Sequence, residues 1–349
     1  MSCSIGQPLS RIVLRRKLAN IAPALKARPR QRRSLNASVI TLRRGTLLLL
    51  VSAALGAHAG GQSPSTAPPP ATTLMAPESH PVVKFERDLL YGKAGGEELR
   101  LNLARPIGAA PARPCIVFVH GGGWTGGDKN MYDEAIRFAA GKGYVGATVG
   151  YRLAPAHLFP AQVQDVKCAV RFLRAHAEHY GIDPKRIGAA GDSAGGQLVM
   201  MLGVTRPEDG LEGDGGWSET SSAVQAVVSY YGPTDLGAPD VPELSKWVVT
   251  AYLGAPAAKV PDVCRKASPL SYVHTGQAPM LLMQGTIDPL VPTTQAVRMG
   301  MAMSAAKAAG RIEIMVGAAH GFSGADQQHA IEATTAFFDE HLRAARIGK

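Results

Sequence analysis

The first 59 positions of this 349-residue chain contain no aspartate or glutamate, and cysteine is scarce throughout. The acid-free stretch holds eleven of the 37 Lys and Arg residues, which leaves 26 bases against 27 acids in the remainder. The formal charge of +10 therefore belongs to the leader, and the body of the chain lacks the basic surplus that nucleic acid would require. Of four cysteines, Cys3 falls in the leader. Cys115, Cys168 and Cys264 are left, an odd number that allows at most one internal disulfide. Cys115 opens an apolar strand-like run and Cys168 sits in a helical pattern, so buried free thiols are expected. No CxxC pair and no His/Cys cluster has metal-ligand spacing. No Gly-x-Gly-x-x-Gly opens a helix, and no glycine-rich loop ends in Lys-Ser/Thr, so nucleotide phosphate is not indicated. Neither a metal nor an organic cofactor is expected. An apolar run long enough to span a bilayer comfortably is missing as well.

What the leader does contain reads as an export signal. Arg43 and Arg44 precede the apolar core "TLLLLVSAALGA" (46–57), and "AHA" (57–59) presents small residues at the two positions a signal peptidase inspects. Cleavage after Ala59 is expected, giving a periplasmic or secreted protein. With no cysteine beside that site, no stable membrane anchor is expected after cleavage. Residues 1–38 form a long basic preface, and Val39 is a candidate translation start. Residues 60–81 ("GGQSPSTAPPPATTLMAPESHP") are rich in Pro, Ser, Thr and Gly and read as a linker. One domain is expected over 82–349.

Within it, β-rich apolar runs alternate with helical patterns. "VVKFERDLLYG" and "ELRLNLARP" flank a glycine-bearing turn (92–96) and read as an opening hairpin. "PCIVFVH" (114–120), "YVGATVGY" (144–151), "RIGAAG" (186–191), "AVVSYYG" (226–232), "PMLLMQG" (279–285) and "RIEIMVG" (311–317) read as strands buried on both faces. From Val163, apolar residues at Val166, Ala169, Val170, Leu173 and Ala177 mark one helix face, with Asp165, Arg171, Arg174 and Glu178 opposite. Ile331, Phe338 and Leu342 mark a closing amphipathic helix. This alternation implies right-handed crossovers and an α/β fold, a mostly parallel sheet covered by helices on both faces. The stretch 236–274, with its prolines and Trp247, breaks the rhythm and reads as a small lid insertion.

In such a sheet, functional groups gather in loops at the carboxyl ends of strands. Gly191-Asp192-Ser193-Ala194-Gly195 fits Gly-x-Ser-x-Gly between a strand and a helix, the context in which a serine is held on a strained turn. "HGGGW" (120–124) follows another strand. Its glycines allow the N–H groups of Gly122 and Gly123, with that of Ala194, to face a developing oxyanion. Asp288 in "GTIDPLVP" (285–292) stands at a third strand end, placed to orient an imidazole. His320 in "GAAHGF" (317–322) stands at a fourth. Taken singly, each is as ordinary as a turn former or a solvated histidine. Together they run Ser, Asp, His, the order in which an α/β sheet of this kind assembles a triad.

HGGGW, YRLAPAHLFPAQVQD (151–165), GDSAGG, DPLVP and HGF together resemble the α/β-hydrolase superfamily, over essentially all of 82–345. Within it they are similar to the hormone-sensitive-lipase-like and bacterial feruloyl/acetyl-esterase-like (BD-FAE-type) branches. A proline-rich linker stands where capped members carry a helical segment, which favours the leaner feruloyl/acetyl-esterase-like branch. The resemblance implies a catalytic triad of Ser193, Asp288 and His320, with Gly122, Gly123 and Ala194 as oxyanion donors. It implies a serine carboxylesterase that forms an acyl-enzyme from short-chain or plant-polymer (acetyl or feruloyl) esters, with a small-molecule or polymer-linked ester as partner. An arylformamidase-type amidase or a peptidase on the same scaffold is the competing enzymatic reading. A non-catalytic hydrolase-fold binding module is the competing class. Around the triad, Asp235 competes with Asp288 for the carboxylate role, and Asp192 reads as structural, its side chain directed away from the site. His120 is expected to hydrogen-bond within the oxyanion loop, and Arg152 and Asp165 to form a buried pair. Trp124 and Trp247 are candidate pocket walls, and Tyr151 fits either core or pocket.

Overall fold

The expected hairpin forms as β1 (Val83–Ala94) and β2 (Glu97–Pro106), paired antiparallel. Gly95 and Gly96 join them with φ of +58° and +82°, the mirror-image turn whose twist matches that of paired strands. The computed structural model describes residues 82–108 and 111–343, so the expected leader and linker lie outside the described residues. The chain continues through β3 (Arg113–Val119), α1 (Asp133–Gly141), β4 (Val145–Val149), α2 (Ala161–Ala175), α3 (Ala177–Tyr180), β5 (Ile182–Asp192) and α4 (Ser193–Val204). It then forms β6 (Ala226–Tyr230), α5 (Glu243–Leu253), α6 (Pro261–Lys266), β7 (Met280–Gly285), α7 (Thr293–Ala305), β8 (Gly310–Met315) and α8 (Gly324–Phe338).

The strands make one sheet in the order β1-β2-β4-β3-β5-β6-β7-β8. The β1/β2 and β2/β4 ladders are antiparallel, and every ladder from β4 to β8 is parallel. Alternation along a strand divides the apolar residues between two cores. In β3, Val117 and Val119 join the core beneath α2, α4 and α7, while Ile116 and Phe118 join the one beneath α1 and α8. All five residues of β4 are buried, as its unbroken apolar character requires. Strand β4 lies on one side of β3 and β5 on the other. Loops leaving β3 and β5 therefore part company, which opens a crevice at their carboxyl ends.

Two details depart from the expected pattern. Asp165 and Arg171, placed on the solvent face of α2, are 1% and 2% exposed. Asp165 is neutralised by Arg152, which forms the buried pair expected between them, and Arg171 by Glu212, whose other oxygen takes the buried Lys167 ammonium at 2.7 Å. Periodicity marks which residues are polar, and ion pairing decides that these go inside. In the closing helix, Phe338 is buried in α8 and Leu342 in the turn that follows, but Ile331 is 39% exposed. The three cysteines among the described residues are buried and free, as expected.

Candidate active site

Ser193 is the first residue of α4, directly after β5, and its φ is +50°. A non-glycine residue in that region is strained, and the turn is tight because the chain reverses from strand into helix within one residue. Gly195 shows why the neighbouring position is glycine. A side chain there would collide with the Val119 carbonyl oxygen and lie 2.6 Å from that of His120. The helix that begins at Ser193 thus packs its backbone against the end of β3.

The serine Oγ lies 3.0 Å from Nε2 of His320, and Nδ1 of His320 lies 2.8 Å from Oδ2 of Asp288. Three strand-end loops, after β5, β7 and β8, therefore bring the three expected side chains into one hydrogen-bonded line. Oδ1 of Asp288 accepts the N–H groups of Leu290 and Val291 at 2.8 and 2.9 Å, and its side chain has no solvent exposure. Burial by itself would raise this carboxyl. The hydrogen bond from His320 and the backbone N–H donors outweigh it and hold Asp288 below the ordinary carboxylate value. Asp235, the competing carboxylate, takes no part in this line. It accepts from the Gly237 N–H at 3.1 Å and lines a different cleft.

The oxyanion loop is braced from several sides. Gly122 has φ of +114°, and a side chain there would collide with the Gly126 carbonyl oxygen. The Gly122 carbonyl receives Thr125 and Gly126 N–H at 3.1 and 3.0 Å, a turn only glycine accommodates without strain. Nδ1–H of His120 donates to the Gly121 carbonyl at 2.8 Å, as expected. Burial lowers the His120 pKa, with the Gly121 hydrogen bond working against that shift. Tyr151 donates to the His120 carbonyl at 2.9 Å and stacks on its ring, so it props the loop. Asp192 is not directed away from the site: its Oδ1 accepts Gly121 N–H at 2.9 Å and the Tyr132 hydroxyl at 2.8 Å. Ala194 lies in the first turn of α4, where N–H groups have no acceptor within the helix and the helix dipole favours negative charge.

Ser193, His320 and this loop face a cleft of about 410 Å³, closed on the far side by α5. The stretch read as a lid therefore supplies one wall. Its apolar residues include Leu244, Trp247 and Val248, with Leu290 and Val291 contributed from beyond β7. Trp247 stands at the mouth and is 64% exposed. Trp124 borders the cleft but its ring is buried, stacked on Tyr252 of α5 at 4.3 Å, with Nε1–H donating to Gln197. Among the described residues, no group of three or more His, Cys, Asp or Glu side chains is arranged to hold a metal ion.

Sequence reasoning passed over two neighbours of the relay. Tyr231, with φ of +40°, packs its ring 4.6 Å from that of His320 and 4.9 Å from that of Phe322. Gln284 donates to Oδ2 of Asp288 at 3.0 Å. Its only signal was a lone amide at the end of the apolar run "PMLLM".

A mostly parallel sheet with helices on both faces, and a Ser–His–Asp line assembled on its carboxyl-end loops, define an α/β-hydrolase. The BD-FAE family model matches residues 101–303, more than half of the chain, and the chain belongs to that family. It is 34% identical to the esterase LipC of Mycobacterium tuberculosis over 246 residues, which is 68% of this chain and 59% of LipC. The chain thus spans less than two thirds of that relative's length. A truncated carbohydrate esterase from gut microbiota superposes with a TM-score of 0.68 at 27% identity, covering 76% of this chain and 98% of the other. The Thermogutta terrifontis esterase 2 phosphorylated by paraoxon gives 0.62 at 27% identity, covering 78% of this chain and 97% of the other.

Proposed function

We propose that the chain is a serine carboxylesterase working through an acyl-enzyme, exported to the periplasm or beyond. The observation that carries this reading is the continuous line from Ser193 Oγ through His320 to the buried Asp288 carboxylate. His320 takes the serine proton as Oγ adds to the ester carbonyl. The N–H groups of Gly122, Gly123 and Ala194 receive the oxyanion, each worth about 2.7–4 kcal/mol by analogy with measured donors. The imidazolium, steadied by Asp288, then protonates the departing alkoxide, and water repeats the sequence to release the acid.

The apolar lining of the cleft suits a neutral acyl or alcohol group. Short-chain esters, and acetyl or feruloyl groups on plant polymers, fit this reading; the esterase names of the relatives and the carbohydrate esterase likeness support it. The test is a panel of acetyl, butyryl, octanoyl and feruloyl esters beside the matching anilides. Turnover of at least one short ester, with anilides untouched, is expected. Turnover of anilides alone would replace the esterase by an amidase or peptidase.

A further inference from the structure

We propose that Gln284 is a positioning residue for the relay, holding the oxygen of Asp288 that the imidazole uses and fastening the loop that carries it. The proposal rests on the esterase reading for its kinetic consequence but not for its geometry. Gln284 is the penultimate residue of β7 and is 1% exposed. Its Nε2 donates one hydrogen to Oδ2 of Asp288 at 3.0 Å and the other to the Val291 carbonyl at 2.8 Å. Both neighbours are acceptors, so the NH2 end of the amide must face them.

The division of labour on the carboxylate is specific. Oδ1 is satisfied by two backbone N–H groups of its own loop, whereas Oδ2 is shared between His320 Nδ1 at 2.8 Å and Gln284. Backbone donors alone fix the carboxylate to a loop. Gln284 ties the oxygen facing His320 directly to β7, a strand paired on both sides, by β6 and β8. A neutral amide does this without placing a second charge beside the imidazolium that forms in the reaction. Removing it leaves the buried Val291 carbonyl short of a partner and lets the carboxylate turn, so the relay's geometry spreads. Gln284 does not line the substrate cleft, so ground-state binding should be indifferent to it.

The test is Gln284→Met, of similar length but with no donor. The expected result is a kcat for p-nitrophenyl butyrate about 10–100-fold lower, the range seen when an outer partner of a functional ligand is removed. KM should stay within about twofold. In proton NMR, the wild type should show a low-field resonance for the His320 Nδ1–H, and in the variant it should broaden or disappear. A variant with kcat within about twofold and that resonance unchanged would overturn the proposal. Because the variant can fail to fold, the wild type carries its own reading. The Gln284 side-chain amide protons should exchange slowly and shift as His320 is titrated, and rapid exchange without a shift would equally overturn it. A wild type that hydrolyses no ester would sink the esterase reading, while both NMR readings would still decide the role of Gln284.

Discussion

At the scale of single residues, the site depends on Asp288 remaining a carboxylate inside the protein. Its pKa lies below the ordinary value because the bonds from His320 and the loop N–H groups exceed the burial penalty. A group depressed in this way contributes its full stabilisation above the unfolded-state pKa and loses it as the pH falls through the folded one. The stability difference between wild type and Asp288→Asn, measured by urea denaturation, should therefore be steady near neutrality and shrink below about pH 4. Near neutral pH the same substitution should lower kcat by about 10⁴-fold, because an amide selects the wrong imidazole tautomer. Ser193, Asp288 and His320 were legible in the sequence because each ends an apolar run in a fixed order. Gln284 was not, since one amide in an apolar strand carries no period, and only its hydrogen bond to Asp288, four positions on, shows its purpose.

At the scale of elements, α5 supplies the apolar wall of the cleft that faces Ser193. Its outer residues Leu244 and Trp247 are 65% and 64% exposed although they border the cleft. Burying such side chains against a substrate gains roughly 25 cal/mol per Å² of apolar surface. Trp247→Ala should raise KM severalfold for octanoyl and feruloyl esters and leave acetyl ester turnover and thermal stability nearly unchanged. An equal loss on all esters would assign Trp247 to the fold instead. The excursion of 236–274 was legible as a break in strand–helix alternation. Where its side chains point was not, because short helices joined by prolines have too few turns to show a face. The same limit applies to α2, whose period separated polar from apolar residues but could not reveal that Glu212 waits to pair with Arg171 and Lys167.

At the scale of the whole molecule, alternating apolar runs and helical patterns were enough to give the sheet, because parallel strands buried on both faces leave long unbroken apolar segments. The internal charges tie its layers together. Arg152 meets Asp165 through Nη2 at 2.7 Å and Nε at 2.9 Å, and both residues are buried. Arg152 adjoins Tyr151, which props the oxyanion loop, so this pair anchors the segment behind the site to α2. Arg152→Ala leaves an unpaired buried carboxylate and should cost about 3–5 kcal/mol in urea denaturation, far more than loss of a surface pair. A loss below about 1 kcal/mol would show that the segment is held by packing alone.

The most direct measurement is intact-mass and peptide mapping after exposure to paraoxon. A single diethylphosphoryl group, with p-nitrophenolate expelled, should appear on the peptide containing Ser193 in step with loss of ester hydrolysis, and should be absent from Ser193→Ala. Labelling that persists in Ser193→Ala, or hydrolysis that survives the substitution, would contradict the assignment of Ser193 as the nucleophile.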